Sequence, residues 1–154
     1  MRNKAALSGA TVDELGIVSK SYTNLTGKVN NFPGVKQLDN EFFVITDKKA
    51  FINEVEALYA SADNPLNSIT KQRILAHIDA TKQFPTQAGI PGLHAEVQAV
   101  NEVLWKIPEG FDLSKINVST IKLAPGSGQG LPFPACTNCG GILSNSVNIL
   151  TGVK

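Results

Sequence analysis

The sequence predicts a mixed α/β fold for this chain of 154 residues. Three observations indicate this class: short runs of β-branched and aromatic residues that suit strands, longer stretches with apolar residues at helical spacing, and the alternation of the two along the chain. With 42% hydrophobic and 18% charged residues, the composition is that of one globular domain large enough to bury a core. We therefore expect residues 1–154 to form a single domain.

The first half of the chain predicts a loop-rich start followed by a strand and two helices. Residues 1–40 are rich in Asn, Gly, Ser and Thr, and we expect a loosely ordered lead-in with a short helix over residues 11–17. The run EFFVIT at residues 41–46 predicts a strand. Amphipathic patterns then predict helices over residues 51–62 and about 68–84.

The second half predicts a further helix, a strand and a short helix, and then a last strand. Two prolines and two glycines between residues 85 and 92 separate it from the first half. Near the end of the helix predicted over residues 93–106, Trp105 lies on a mostly apolar face, so we expect its side chain to be in the core and not to stack on a base. The predicted elements are a helix over residues 93–106, a strand over 117–123 whose alternation is interrupted at 120–121, a glycine-rich loop at 124–130, a helix that begins at 136 or 137, and a strand over 147–150.

Charge and hydropathy exclude few functions. The chain has 14 basic and 13 acidic residues and a net charge of +1, so it lacks the overall positive charge typical of tight, non-specific nucleic-acid binders. A local basic groove needs no such excess, and the net charge therefore neither favours nor excludes a nucleic-acid substrate. No apolar run approaches the roughly 18 residues that a membrane span requires, and the N-terminus lacks the apolar core of a signal peptide.

The two cysteines of the chain lie three residues apart. Cys136 and Cys139 occur in the stretch PACTNCGG, after a proline and before two glycines. Such a pair alone is compatible with a redox site, with half of a structural zinc site and with half of a catalytic one. A helix N-terminus at this point favours the thiolate form, which is the form that binds metal.

Two histidines could complete a metal site. His77 lies inside the predicted helix with no acidic residue placed as a useful base, so an ordinary surface or half-buried histidine is favoured there. His94 stands at the start of the next helix, in GLHAEVQAV, and Glu96 follows two residues later. Each has an ordinary explanation when taken alone, Glu96 as a solvated helix residue. In an irregular first helical turn, however, a ligand at 94 and a base at 96 can both approach one water molecule on a metal ion.

Taken together, these stretches resemble a known family. HAE at residues 94–96 and PACTNC at residues 134–139 are similar to the H-x-E … P-C-x-x-C signature of zinc-dependent nucleobase deaminases. The longer stretches GLHAEVQAVNEVL and PFPACTNCGGIL look most like bacterial polymorphic-toxin deaminases of the YwqJ-like type. Ala135 separates the proline from the first cysteine, whereas most deaminases have proline directly before it. The resemblance covers roughly residues 92–150 and implies a three-layer α/β/α sandwich with a central mixed sheet.

The resemblance also implies a site. His94, Cys136 and Cys139 would bind one Zn²⁺ ion and leave its fourth position to water. Glu96 would not bind the metal but would act as general base and then general acid. The backbone N–H of Ala95 would contact the substrate base.

The implied reaction converts cytosine to uracil in a nucleic acid. Single-stranded DNA is favoured over double-stranded DNA and RNA, because a base inside a duplex must first be flipped out. Since the resembled enzymes are C-terminal toxin domains of large secreted proteins, we expect delivery into the cytoplasm of a target cell and a cognate immunity protein. The alternatives are deamination of a free nucleoside or nucleotide or of adenine, and a zinc-stabilised binding module without activity. A redox pair would leave His94 and Glu96 unexplained.

Overall fold

The computed structural model describes residues 6–122, 137–143 and 147–151. Within these ranges the chain forms two β-sheets and four α-helices, and the predicted mixed α/β fold is confirmed. The strands are β1 Ala6–Val12, β2 Ile17–Val18, β3 Val35–Gln37, β4 Phe42–Ile45, β5 Phe84–Pro85, β6 Asn117–Lys122 and β7 Asn148–Ile149. The helices are α1 Lys48–Ser61, α2 Ser68–Ala80, α3 Ala95–Leu104 and α4 Thr137–Leu143.

The larger sheet has the strand order β2-β1-β6-β7 and is mixed, as predicted. Strand β1 pairs antiparallel with β2 and with β6, whereas β6 and β7 run parallel. Helix α3 packs against β1 and β6 and also contacts α2 and α4. All ten residues of α3 are buried, so this helix forms the centre of the molecule and its N-terminus is fixed from several sides.

Strand β1 corrects the expectation of a loosely ordered lead-in over residues 1–40. Residues 6–12 form an inner strand of the sheet, and of the helix expected over residues 11–17 only one turn of 3₁₀ helix forms, at Asp13–Leu15. The strand pattern is not apparent in ALSGATV. The buried positions of the strand are Ser8, Ala10 and Val12, and only Val12 is strongly apolar. A buried polar residue breaks the apolar alternation by which strands are predicted.

Strand β6 is regular, contrary to the interruption expected at residues 120–121. Its six residues pair without a break with β1, and Ser8 lies opposite Thr120. Thr120 is buried and Ile121 is exposed, which is the reverse of their hydropathy. The reason is a hydrogen bond of 2.7 Å between the hydroxyls of Ser8 and Thr120, which satisfies both groups inside the protein.

The smaller sheet has the order β3-β4-β5 and was predicted only in its central strand. The rings of Phe43 in β4 and Phe84 in β5 stack with centroids 5.2 Å apart. Helix α2 ends at Ala80, four residues before the predicted end near residue 84, because Phe84 pairs with Phe43 in the sheet and cannot also be helical.

The remaining predicted elements are present with small shifts of their ends. Side chains of Asp47 and Asn67 cap α1 and α2 by accepting from backbone N–H groups of the first turn. The core position expected for Trp105 is wrong: its side chain follows the end of α3, is 56% exposed and donates from Nε1 to the carbonyl of Pro65. In the parts of the chain that the structure describes, no helix has the length and apolar character needed to span a membrane.

Candidate active site

The N-terminus of α3 carries His94 and Glu96. The Pro-Gly break before it is closely packed: Gly92 has φ +92°, and a Cβ atom there would lie 2.7 Å from a side-chain carbon of Ile74. The buried hydroxyl of Tyr59 donates a hydrogen bond of 2.6 Å to the carbonyl of Gly92. His94 has extended backbone and directly precedes the helix, so its ring is placed by the break while Glu96 lies in the first helical turn.

Two of the three predicted metal ligands lie side by side. His94 Nδ1 is 3.1 Å from Cys139 Sγ, and Cys139 is fully buried. Two ligands of one tetrahedral zinc ion, with Zn–N near 2.0 Å and Zn–S near 2.3 Å, are about 3.6 Å apart, so a separation by about half an ångström would admit the ion. The donor set, one imidazole nitrogen and one thiolate, is also the one that zinc prefers. These two residues therefore fit a zinc ion.

The third predicted ligand, Cys136, lies outside the described residues, as do Ala135 and the loop at residues 124–130. Within the described ranges, no group of three or more His, Cys, Asp or Glu residues lies close enough together to hold a metal ion. The pair of His94 and Cys139 is thus the part of the predicted metal site that the structure brings together.

Glu96 is buried, with 5% of its surface exposed, and is therefore not the solvated helix residue that a lone glutamate suggests. Its Oε1 accepts a hydrogen bond of 3.3 Å from Ser8 Oγ. The single hydroxyl proton of Ser8 is used in this bond, so Thr120 donates to Ser8 in turn. Strands β1 and β6 thereby orient the carboxylate of α3.

The backbone N–H of Ala95, predicted to contact a substrate base, donates to Asn24 Oδ1 at 2.8 Å. Asn24 belongs to a segment without regular secondary structure that contacts the start of α3. On its two sides, Gln98 Nε2 donates to the carbonyl of Thr23 and the N–H of Leu25 donates to the carbonyl of Leu93. Sequence reasoning missed Asn24, because nothing in the loop-like stretch YTNLTG indicates a contact 71 residues away.

Helix α4, which carries Cys139, packs against α2 and α3. Asn138 is buried next to Cys139, and its Oδ1 lies 3.0 Å from Nε2 of His77 in α2. His77 is half-buried, as expected, but it also has a specific partner that the sequence did not reveal.

The buried tyrosine beneath the site stays neutral. Burial, with a smaller contribution from the negative charge of Cys139, raises the pKa of Tyr59 well above its ordinary value. Its hydroxyl is therefore a hydrogen-bond donor to Gly92 at any physiological pH.

A second buried carboxylate lies near the other end of α3. Glu102 accepts hydrogen bonds from the hydroxyl of Tyr22, the backbone N–H of Lys20 and the ammonium group of Lys106. Burial alone would raise the pKa of Glu102, but these donors outweigh it and lower the pKa. Burial and the hydrogen bond to Glu102 raise the pKa of Tyr22. This cluster attaches residues 20–22 to the helix.

An α/β fold with a histidine and a glutamate at the start of a central helix, and a cysteine brought to the histidine by a second helix, is the arrangement expected of a deaminase. Residues 24–148 match the sequence profile of the YwqJ-like deaminases. The chain belongs to this family, and the predicted resemblance is confirmed. It is accordingly a hydrolase acting on C–N bonds. The match begins at residue 24, far upstream of the region in which the resemblance was evident, and includes α1 and α2.

One curated relative is the toxin subunit YenC2 of Yersinia entomophaga. The two proteins are 30% identical over 170 aligned residues, which cover 88% of this chain and 17% of the toxin subunit. The chain thus spans less than a fifth of the length of this relative. No solved structure gives a significant match to the chain.

Proposed function

We propose that this chain is a zinc-dependent deaminase that converts cytosine to uracil in nucleic acid, with single-stranded DNA as the favoured substrate. The observation that carries the proposal is the contact of His94 Nδ1 with the buried Cys139 Sγ, at the start of the helix that bears the buried Glu96. Both features are parts that deamination by this family would need: two candidate metal ligands, and a carboxylate two residues from one of them.

His94 and Cys139, together with Cys136, would hold the zinc ion. When bound, the ion supplies a Lewis acid that lowers the pKa of water from near 16 toward 7, so that hydroxide is available at neutral pH. Three protein ligands leave one coordination position for solvent and substrate, as in other catalytic zinc sites.

Glu96 would transfer the protons. Its carboxylate would take one proton from the attacking water and give it to the ring nitrogen, and would then carry the remaining proton of the hydroxyl group added at C4 to the amino group, which leaves as ammonia. Ser8 donates to one carboxylate oxygen and is itself held by Thr120, so the carboxylate does not have to be reoriented during the reaction.

Ala95 and Asn24 would bind the base. Since the N–H of Ala95 donates to Asn24 Oδ1, a carbonyl oxygen of the base would replace that acceptor as the substrate enters. The side-chain amide of Asn24, displaced from Ala95, would then be close enough to contact the nucleotide itself.

The toxin role is supported by the similarity to a protein named a toxin subunit, of which this chain corresponds to a small part. We propose that residues 1–154 are one deaminase domain, with its catalytic core at about residues 92–150, of a larger secreted or delivered bacterial protein. It would act in the cytoplasm of a target cell, and a cognate immunity protein would protect the producer.

The test is to incubate the purified protein with single-stranded DNA, double-stranded DNA, RNA and free cytidine and to sequence or chromatograph the products. The expected result is C-to-U conversion that is fastest in single-stranded DNA and at least about 10²-fold slower in the Glu96→Gln variant. Faster conversion of free cytidine, or of adenine substrates, would contradict the proposed substrate and identify the free nucleoside or adenine in its place. Zinc binding without any conversion would support a binding module and overturn the assignment of an activity.

The toxin role is tested separately by inducing the chain in bacteria. The wild-type chain should raise the frequency of C-to-T mutations or stop growth, and Glu96→Gln at equal expression should do neither. Normal growth and an unchanged mutation frequency with the wild-type chain would contradict this part of the proposal.

A further inference from the structure

Asn138, the residue before Cys139, connects three elements around the proposed metal centre. It is 1% exposed, and its Nδ2 donates to the carbonyl of Gly89 at 3.0 Å, with a longer contact of 3.5 Å to that of Ala88. Because Nδ2 is the donor, Oδ1 is the acceptor, and it lies 3.0 Å from His77 Nε2. With this orientation of the amide, the contact is a hydrogen bond only when His77 carries a proton on Nε2.

The loop that Asn138 binds packs against the proposed ligand His94. Gly89 has φ +73°, and a Cβ atom there would lie 3.0 Å from His94 Nε2. The other ring nitrogen of His94, Nδ1, faces Cys139. Asn138 thus closes a ring of contacts that runs from Cys139 through Asn138 and Gly89 to His94 and back to Cys139.

His77 contacts Asn138 from helix α2. The imidazole of His77 meets the aromatic ring of Phe84 edge-on, with centroids 5.8 Å apart. Helix α4 approaches the imidazole so closely that a Cβ atom at Gly141 would lie 2.3 Å from His77 Nδ1. Glycine at 141 therefore lets the backbone of the cysteine-bearing helix rest directly on His77.

We propose that Asn138 and His77 are positioning residues of the metal centre, with Asn138 setting the distance between Cys139 and His94 and His77 holding the amide of Asn138. This inference rests on the proposed function, because it concerns the zinc site which that function requires. Side chains that orient metal ligands commonly change metal affinity tenfold to a hundredfold when they are removed.

Asn101 provides a matched control for a purely structural role. It is a fully buried asparagine whose Oδ1 accepts from the N–H of Asn67 and whose Nδ2 donates to Asn64 and Pro65. We expect Asn138→Ala and Asn101→Ala both to lower the thermal midpoint, since each leaves buried groups without partners. Only Asn138→Ala should also weaken zinc binding, by roughly tenfold or more.

The experiment measures zinc dissociation constants by competition with a chelator in wild type and both variants. An affinity of Asn138→Ala within twofold of wild type, or an equal loss in both variants, would overturn the inference. His77→Gln, which retains an N–H donor, and His77→Phe, which retains a ring without one, give a second comparison. His77→Phe should bind zinc about tenfold more weakly and His77→Gln nearly as well as wild type; equal affinities would count against the inference even if Asn138→Ala does not fold.

A metal-free measurement separates this inference from the proposed function. In a Cys136→Ser background with zinc removed, the rate at which a thiol reagent labels Cys139 reports how firmly that residue is held. Labelling should be faster with Asn138→Ala or His77→Phe than with Asn101→Ala, and equal rates would contradict the positioning role. If the wild-type chain binds no zinc but the variants show this order of labelling rates, the metal centre is refuted and the positioning of Cys139 remains supported.

Discussion

The two ends of helix α3 both bear a buried carboxylate, but in different surroundings. Glu96 at the N-terminal end accepts from the neutral hydroxyl of Ser8, whereas Glu102 near the C-terminal end accepts from a cation, a phenol and a backbone N–H. The helix dipole favours a carboxylate at the first position and disfavours one at the second, so Glu102 depends on its donors. Burial alone therefore does not distinguish the proposed general base Glu96 from Glu102; among the contacts described, the cationic partner belongs to Glu102.

The largest effect expected from this comparison is on activity at the N-terminal end. Glu96→Gln keeps the size of the side chain and removes the proton acceptor, so the deamination rate should fall by at least about 10²-fold. Glu102→Gln, on the same helix, should retain activity within a few-fold. The measurement is the initial rate of uracil formation, with circular dichroism as the check on folding; similar rate losses in both variants would remove the distinction.

A smaller effect on activity is expected from the residue that orients Glu96. Ser8→Ala removes the hydroxyl that donates to the carboxylate, and the rate should fall about tenfold because the carboxylate is less well positioned. Ser119→Ala is the matched control, since Ser119 lies on the neighbouring strand with its side chain exposed. If both variants have the same rate, Ser8 has no role in orienting Glu96.

The effect expected at the C-terminal end is on stability. Glu102→Gln weakens hydrogen bonds to a charged acceptor and should lower the free energy of unfolding by about 1–3 kcal/mol. Glu14→Gln, which removes an exposed ion pair with Lys115, should change it by less than about 1 kcal/mol. The measurement is urea unfolding of both variants and wild type. An equal change in the free energy of unfolding would contradict the structural role of the Glu102 cluster.

The stability contributed by Glu102 should also depend on pH. Because the folded protein lowers the pKa of this carboxyl from the ordinary value of 4.5, the contribution is fully present above pH 4.5 and is lost as pH falls through the lowered pKa. The stability difference between wild type and Glu102→Gln should therefore shrink below pH 4.5. A difference that stays constant from pH 7 down to acid unfolding would show that the carboxylate is not held by these donors.

The residues proposed for the site lie in local motifs that are visible in the sequence alone. His94, Glu96 and Cys139 occur in two short stretches with recognisable spacing, and the structure brings His94 and Cys139 into contact. The helices and strands with clear apolar periodicity, such as α1 and α3, were likewise predicted.

The residues that the sequence did not reveal act across long distances along the chain. Ser8 contacts a residue 88 positions away, Asn24 one 71 positions away and His77 one 61 positions away. Short polar side chains do not contribute to the hydrophobic periodicity from which elements are predicted, so a buried serine or threonine is predicted to be at the surface. For the same reason β1 was mistaken for a lead-in, although it carries the side chain that orients Glu96.

The most direct test of the zinc site is the metal content of the purified chain, measured for wild type, His94→Ala and Cys139→Ser. The wild-type chain should hold about one zinc ion, and each variant should hold much less while retaining the circular dichroism of the folded protein. A wild-type chain without zinc, or variants that retain it in full, would contradict the pairing of His94 and Cys139 as metal ligands.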